Sequence, residues 1–227
     1  SEVSVVQHGP HLLSREDDDI AKAVEGIFIE DDINLHLECN PKLVEINANG
    51  GIRLVVESPN GPIELNGSHL LVAAGRTPNT DDFGIENTGI ELDDRGHIKV
   101  DDKLATTEDN VYAIGDVKGG PAFTHISYDD FYILRDNLFN DGKKLVSERM
   151  IPYTVYIDPQ LGRIGLNEKM AKKQGIQYRL AKMPMEYSAR ALEVDESRGM
   201  AKALVDPRTD RILGCSILAP EGGEMMS

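Results

Sequence analysis

The chain has 227 residues, 24 of them basic and 39 acidic, so its formal net charge at neutral pH is -15. This excess of negative charge argues against nucleic acid or an anionic membrane surface as the main partner, because like charges repel. No apolar run approaches the roughly 20 residues that span a bilayer, and no signal peptide is recognised. Cys39 and Cys215 lie far apart and outside any CxxC pair, which favours a reducing compartment such as the cytoplasm.

The beginning of the chain predicts a strand followed by a helix. Residues 3–6 are rich in β-branched side chains and indicate a strand. Residues 14–28 predict a helix with Ser14 as its N-cap and the acidic residues 16–19 in its first turn, where the helix dipole favours negative charge. The apolar positions at helical spacing are Ile20, Val24 and Ile27. A strand that leads directly into a helix is typical of part of an α/β sheet.

Two kinds of strand signal follow. Residues 33–68 contain short strand patterns separated by turns at residues 50–51 and 60–61, which predicts an antiparallel meander. The runs HLLVAAG, residues 69–75, and NVYAIGDV, residues 110–117, are instead mostly apolar. We expect each of these two runs to form a strand that is buried on both faces.

The last hundred residues divide at a charged segment. Residues 123–139 predict an amphipathic helix, and residues 140–150 predict a linker. Residues 151–166 indicate a strand and a turn, followed by a short helix with Asn167 as its cap and Gly175 as its stop. The remaining strands indicate an antiparallel sheet. The candidate buried residues of the predicted amphipathic helix are Phe123, Ile126, Phe131, Ile133, Leu134 and Leu138.

The Gly115-Asp116 pair has a specific chemical use. It ends a predicted buried strand, and ligands of open α/β sheets bind at that end of the strands. Gly115 lets a ligand approach the backbone closely, and the carboxylate of Asp116 can accept hydrogen bonds from hydroxyl groups of a sugar or sugar alcohol. An ordinary capped turn explains the same two residues, so the pair alone leaves both interpretations open.

Two motifs in a fixed order are more specific. AAGRTPN, residues 73–79, is followed by TTEDNVYAIGDVKGGPAFTHISYDDF, residues 106–131. This order resembles the class I pyridine nucleotide-disulfide oxidoreductases, the flavoprotein family that includes dihydrolipoamide dehydrogenase, glutathione reductase and mercuric reductase. The resemblance covers nearly the whole chain, and residues 119–139 are similar to the branch associated with resistance to reactive chlorine and hypothiocyanous acid.

The resemblance implies an α/β fold, in which part of a doubly wound NAD(P)- and FAD-binding domain pair precedes an incomplete α+β dimer-interface domain. Residues 1–75 would be the second half of the NAD(P)-binding domain. Residues 76–147 would be the returning segment of the FAD-binding domain, and residues 148–227 the start of the dimerisation domain. The family further implies a homodimer that acts on a small-molecule or disulfide substrate, with no nucleic acid or membrane partner.

The resemblance also implies FAD and NAD(P)H as cofactors. Asp116 matches the aspartate that bonds the ribityl chain of the flavin in this family, and Gly115 precedes it. The other residues expected near the flavin, or beside those that contact it, are Phe123, Thr124, His125, Gly75 and Arg76.

Gln7 and His8 stand where an acidic side chain would accept the ribose 2′-hydroxyl and favour NAD. A carboxamide does not repel a phosphate, so NADPH also fits, and a plain loop residue is the alternative interpretation. His8 and His11 have no third ligand nearby in the sequence, which disfavours a metal site. Residues 16–19 lack the spacing of a calcium loop, and Cys215 lies in an apolar run typical of a core.

Several family motifs are absent from the 227 residues: the GxGxxG fingerprint for FAD, the NAD(P) glycine loop, the Cys-x4-Cys pair and the His-x4-Glu pair. We therefore expect a fragment, inactive by itself, of an enzyme that transfers hydride from NAD(P)H to FAD and then electrons to a cysteine pair. The alternative is a stand-alone, non-catalytic module that binds a nucleotide or a partner on the same scaffold. A bare interaction domain is the third possibility.

Overall fold

The computed structural model describes residues 2–226 and divides into two units. The first unit consists of the residues through Val72 and those from Pro152 onward, and the second unit is Ala73–Ile151. The chain mixes helices and sheets, as its sequence predicts. None of the described helices is long and apolar enough to cross a membrane.

The first unit begins with a strand, a helix and a second strand. Strand β1 (Val3–Val6) pairs in parallel with β2 (Ile33–His36), and helix α1 (Asp18–Glu30) connects them. The helix buries the face that its apolar spacing predicts. The buried residues of α1 are Ile20, Ala21, Val24 and Ile27.

Helix α1 starts later than the sequence pattern predicts. Its N-cap is Asp17, in an extended conformation, and Ser14 is not the cap. The chain first makes a turn in which Leu13 has a φ of 51° and its carbonyl accepts the Glu16 N–H at 2.8 Å. This turn displaces the helix start by three residues, although the predicted acidic first turn is present at residues 18–19.

The predicted antiparallel meander is present only from residue 40 onward, as a three-stranded sheet, because the first of its predicted strands is β2, which pairs in parallel with β1. Its strands are β3 (Asn40–Ile46), β4 (Ile52–Ser58) and β5 (Gly61–Gly67), in that order. Val56 in the central strand is fully buried, whereas β3 is exposed along its whole length. The turns fall at the predicted Gly-containing positions because each requires a positive φ, 78° at Gly50 and 110° at Gly61.

The second part of the first unit is a five-stranded antiparallel sheet. Its strand order is β6-β7-β10-β9-β8, and all of its pairs are antiparallel, as predicted. The sheet packs against α1, because Leu161 and Leu218 share a buried cluster with the apolar face of that helix. Its strands are β6 (Tyr153–Val155), β7 (Gln160–Gly165), β8 (Arg179–Pro184), β9 (Met200–Val205) and β10 (Ile212–Ala219).

Two short helices connect these strands. Helix α3 begins and ends as predicted, at Glu168–Gln174: the side chain of Asn167 accepts the Met170 N–H at 2.8 Å, and Gly175 stops the helix at a φ of 68°. Helix α4 (Ala189–Glu193) lies between β8 and β9 and has no counterpart in the sequence interpretation.

The second unit contains one long helix and little other regular structure. Helix α2, the second α-helix along the chain, spans Thr124–Phe139, within one residue of the predicted range 123–139. Only Ile126 and Ile133 of the six candidate buried residues are buried, while Phe131 and Leu138 are exposed. Asp130 is buried instead, so the buried stripe of this helix carries a charge at its centre.

The two apolar runs do not form the predicted buried strands. Residues 69–75 have no strand, and the exposed fractions of Leu71 and Val72 are 89% and 74%. Residues 110–117 contribute one isolated bridge, between Ala105 and Tyr112. A strand buried on both faces needs hydrogen-bonding neighbours and covering layers, and apart from that bridge no strand in residues 2–226 pairs with either run.

Candidate functional site

The turn that follows the second apolar run is the centre of the candidate site. Residues Gly115–Lys118 form a single 3-10 turn. Gly115 has a φ of 76°, and a Cβ at this position would lie 3.2 Å from Oγ of Ser127 on α2. The position therefore requires glycine for its conformation and for the close approach of the turn to the helix.

An exposed ion pair lies at this turn. Nη1 of Arg76 donates to Oδ2 of Asp116 at 2.8 Å, and the side chains are 75% and 50% exposed. Within the described residues the second oxygen, Oδ1 of Asp116, has no hydrogen-bond donor. A carboxylate that is held on one side and open on the other can accept a hydroxyl group of a ligand.

The first turn of α2 supplies the second part of the site. Phe123 is the N-cap residue, and it provides no side-chain cap to the helix. The rings of Phe123 and His125 stack with their centroids 5.4 Å apart, and Thr124 between them is exposed. The N-terminus of a helix carries a partial positive charge, so this end of α2 favours negative charge on a ligand.

A buried charge cluster that the sequence interpretation missed lies beneath the turn. The fully buried carboxylate of Asp130 accepts the Gly115 N–H at 2.8 Å, and its oxygens lie 2.6 Å from Nη1 of Arg149 and 3.2 Å from Nζ of Lys118. Arg149 also contacts the neighbouring Asp129 at 3.2 Å. The signal was present in the sequence, because Asp130 follows Ile126 by four residues on the apolar stripe of α2.

Six of the predicted site residues thus lie at this turn, at the helix start or beside them, and Gly75 adjoins Arg76 with a φ of 109°. Gln7 lies in the first unit, directly after β1. Its carboxamide is used locally: Oε1 accepts the His8 N–H at 3.0 Å, and Nε2 donates to the His11 carbonyl at 3.4 Å. This geometry is that of a polar turn at the carboxyl end of a parallel strand.

A second charge cluster, also missed, lies in the first unit. Nζ of the buried Lys202 lies 2.6 to 2.8 Å from carboxylate oxygens of Asp17, Asp19 and Glu168. Oxygens of these three carboxylates lie within 4.8 Å of one another, close enough to ligate a metal ion. The Lys202 ammonium already contacts all three carboxylates and offsets part of their charge, so we interpret the cluster as a link that joins the start of α1 to α3 and β9.

The cluster changes the titration of its members. Burial by itself would raise the pKa of Asp19, but hydrogen bonds from Lys202 and Lys182 outweigh burial and lower this pKa to about 2. Hydrogen bonds from Lys202 and Tyr178 likewise lower the pKa of Glu168. Both carboxylates are therefore held ionised in the folded state.

A third cluster joins the same two parts of the first unit. Nη1 of Arg163 lies 2.8 Å from the Tyr153 hydroxyl and 3.3 Å from Oε1 of Glu16, and the Tyr153 hydroxyl donates to the same Glu16 oxygen. Glu16 and Arg163 are buried. Burial and the adjacent Glu16 raise the pKa of Tyr153 to about 12, so the hydroxyl stays protonated as a donor.

Comparison with known proteins gives a family context to these features. Residues 1–130 match the sequence model of pyridine nucleotide-disulphide oxidoreductases. Residues 151–227 match that of the pyridine nucleotide-disulphide oxidoreductase dimerisation domain. The two matches together cover most of the chain, in the order that the sequence motifs predict.

Individual relatives agree with this assignment. The chain is 36% identical over 228 residues to the probable pyridine nucleotide-disulfide oxidoreductase RclA of Escherichia coli (strain K12), covering 100% of this chain and 51% of that protein. It is 34% identical over 230 residues to the mitochondrial dihydrolipoyl dehydrogenase 2 of Arabidopsis thaliana, covering 100% of this chain and 45% of that protein. The chain spans about half the length of the curated relatives it matches.

Solved structures give the same result at the level of the fold. The HOCl-induced flavoprotein disulfide reductase RclA from Escherichia coli matches with a TM-score of 0.88 and 36% identity, over 99% of this chain and 51% of that one. LpdA from Mycobacterium tuberculosis matches with a TM-score of 0.88 and 25% identity, over 99% of this chain and 48% of that one.

Proposed function

Because the chain belongs to the pyridine nucleotide-disulphide oxidoreductase family, we propose that it is part of an FAD- and NAD(P)H-dependent oxidoreductase. The chain spans about half the length of its curated relatives, so we attribute the complete reaction to a longer protein. This chain supplies one side of the flavin site and the dimerisation domain.

The observation that carries the proposal is the Arg76–Asp116 pair beside the start of α2. Arg76 holds one oxygen of the Asp116 carboxylate at 2.8 Å, and the other oxygen can accept a hydrogen bond from a hydroxyl group of a ligand. The residues fit a flavin: the carboxylate can accept from the ribityl chain, and a Cβ at Gly120 would meet no heavy atom within 4 Å. The loop before α2 is therefore open at Gly120.

The role of this chain at the site is binding and orientation. Bound FAD supplies the redox chemistry of this family, accepting hydride from NAD(P)H and passing electrons to a disulfide or another oxidised sulfur. Asp116 would hold the ribityl chain, and the N-terminal turn of α2, with Phe123, Thr124 and His125, would contact the bound flavin. The positive end of α2 stabilises negative charge on a group bound there.

Gln7 contributes to nicotinamide nucleotide binding in this proposal. A carboxamide at the end of a parallel strand can hydrogen-bond the adenosine ribose and tolerates a 2′-phosphate, because it carries no negative charge. We therefore propose that the enzyme accepts NADPH as well as NADH. The substrate is a small molecule or a disulfide, as in the branch that residues 119–139 resemble.

The domain assignment follows the same proposal. Residues 1–75 belong to the NAD(P)-binding domain, residues 76–147 to the FAD-binding domain and residues 148–227 to the dimerisation domain. The match of residues 151–227 to a dimerisation domain supports a homodimer. Two widely spaced cysteines, both unpaired, suit the reducing cytoplasm.

Flavin retention tests the proposal. The full-length protein, its Asp116→Ala variant and the 227-residue chain are each incubated with FAD and desalted, and their visible spectra are recorded. We expect stoichiometric flavin in the full-length protein, reduced retention in Asp116→Ala, and none in the 227-residue chain. Asp94→Ala is the matched control, because Asp94 is an exposed carboxylate of the same unit that makes no hydrogen bond through its side chain.

Two results would contradict the proposal. Full retention in Asp116→Ala would mean that the Arg76–Asp116 pair is not a flavin contact. Equal losses of bound flavin in Asp116→Ala and Asp94→Ala would mean that removing any surface carboxylate of this unit lowers flavin retention. Oxidation of NADPH and NADH by the full-length protein, followed at 340 nm, then gives the nucleotide preference.

A further inference from the structure

We propose that Asp130 is a positioning residue for the flavin contact, acting through the Gly115 peptide on Asp116. The inference rests on the proposed function of Asp116. Asp130 does not face a ligand, because it is fully buried, and its effect is exerted on the backbone that carries the ligand-binding carboxylate.

The geometry of the turn gives the reason. The Gly115 N–H donates to Oδ2 of Asp130 at 2.8 Å, which fixes the Ile114–Gly115 peptide plane, one residue before Asp116. Gly115 is at a φ of 76°, a conformation that glycine enters and leaves readily. Without a fixed N–H, the peptide can rotate and redirect the Asp116 side chain.

Arg76, the exposed ion-pair partner of Asp116, cannot by itself fix the direction of the Asp116 side chain. The Arg76 side chain is 75% exposed, and exposed ion pairs are weak because water screens them and both side chains lose conformational freedom. The hydrogen bond from Gly115 to a buried carboxylate is charge-assisted and shielded from water, so it is the stronger restraint.

The two cations of the cluster offset the charge of the buried Asp130 carboxylate. Arg149 and Lys118 contact opposite oxygens of the carboxylate, at 2.6 and 3.2 Å, and their side chains are themselves buried. A buried carboxylate needs such compensation. Three donors thus converge on one side chain, and an Asn side chain, with one acceptor and one donor group, cannot satisfy all three.

The first test needs no cofactor. Exchange of the Gly115 amide hydrogen is measured in the 227-residue chain for the wild type, Asp130→Asn and Asp129→Asn. We expect about tenfold faster exchange in Asp130→Asn, because the N–H loses its buried acceptor. Asp129→Asn is the matched control on the same helix, since Asp129 also contacts Arg149 but is half exposed; wild-type exchange is expected there.

The second test is a double-mutant cycle on FAD affinity in the full-length protein. We expect Asp130→Asn to weaken FAD binding about tenfold, and to have no further effect when Asp116 is already Ala. Independent, additive losses would show that Asp130 only stabilises the fold and would overturn the inference. A loss in Asp130→Asn without faster Gly115 exchange would overturn it as well.

The cycle also separates this inference from the proposed function. Unchanged FAD affinity in Asp116→Ala rejects Asp116 as a flavin contact. A loss in Asp116→Ala with wild-type affinity in Asp130→Asn rejects only the positioning role. If Asp130→Asn does not fold, Asp130→Glu keeps the charge that Arg149 and Lys118 need but displaces the carboxylate from Gly115, and unchanged exchange and affinity in that variant would overturn the inference.

Discussion

Helix α1 and the five-stranded sheet differ sharply from the two apolar runs, residues 69–75 and 110–117. The helix and the sheet share a buried apolar cluster and two buried charge clusters, around Lys202 and around Glu16. The two runs are just as apolar in sequence, yet their side chains are largely exposed. Apolar composition produces burial only where a complementary surface is present. Within the described residues the helix has such a surface, whereas of the two runs only Ala113 is buried in an apolar cluster, with Val117 packed against it.

Substitution in the Lys202 cluster is expected to lower the free energy of unfolding most. Lys202→Met removes the one buried cation among the described residues that contacts Asp17, Asp19 and Glu168 together, and breaking a buried ion pair costs about 3–5 kcal/mol. We expect the free energy of unfolding of the first unit to fall by about 3 kcal/mol, as measured by urea denaturation followed by far-UV circular dichroism. Lys182→Met is the control, because Lys182 is more exposed and contacts only Asp19; similar losses in both variants would contradict a special role for Lys202.

Substitution in the Glu16 cluster is expected to lower the free energy of unfolding by a smaller amount. Tyr153→Phe removes the hydroxyl that donates to Glu16 and accepts from Arg163, and so leaves two buried charged groups less well satisfied. We expect a loss of about 2 kcal/mol in the free energy of unfolding. Tyr156→Phe, at a residue that is 84% exposed, is expected to unfold like the wild type, and an equal loss in the two variants would assign no stability to the buried hydroxyl.

The stability of the first unit is also expected to depend on pH. The pKa of Asp19 is lowered to about 2 and that of Glu168 is also lowered, so both contribute stability that is present above their unfolded values and is lost as the pH falls through the folded values. We expect the first unit to lose on the order of 1 kcal/mol between pH 4 and pH 2 from these two groups, discounted for their partial exposure. Lys202→Met should flatten this part of the stability curve; an unchanged slope in that variant would disprove the linkage.

Substitution in the exposed apolar runs is expected to change the free energy of unfolding least. Leu71→Ala is expected to change the free energy of unfolding by less than about 0.5 kcal/mol, because the side chain is already in water. Leu161→Ala, at a fully buried leucine of the sheet, is the contrasting variant and should cost about 3 kcal/mol. Comparable losses would show that the run around Leu71 is packed in solution.

Local signals explain most of what could be predicted. The meander follows from glycine turns, and α3 follows from an Asn cap and a Gly stop, because caps and turns depend on residues within four positions of one another. The motif order of residues 73–79 and 106–131 predicted the family. The start of α1 was wrong by three residues, since the turn at Leu13 has no comparable sequence signal.

The sequence by itself therefore determined the family, the type and position of α2, α3 and the antiparallel strands, and the identity of Asp116 as the candidate flavin contact. Tertiary structure decided which charges are buried together and which apolar runs are covered. Lys202 and Asp19 are 183 positions apart, and within the described residues no strand pairs with residues 69–75. Such pairings depend on the path of the chain in space, and a local sequence pattern does not predict that path.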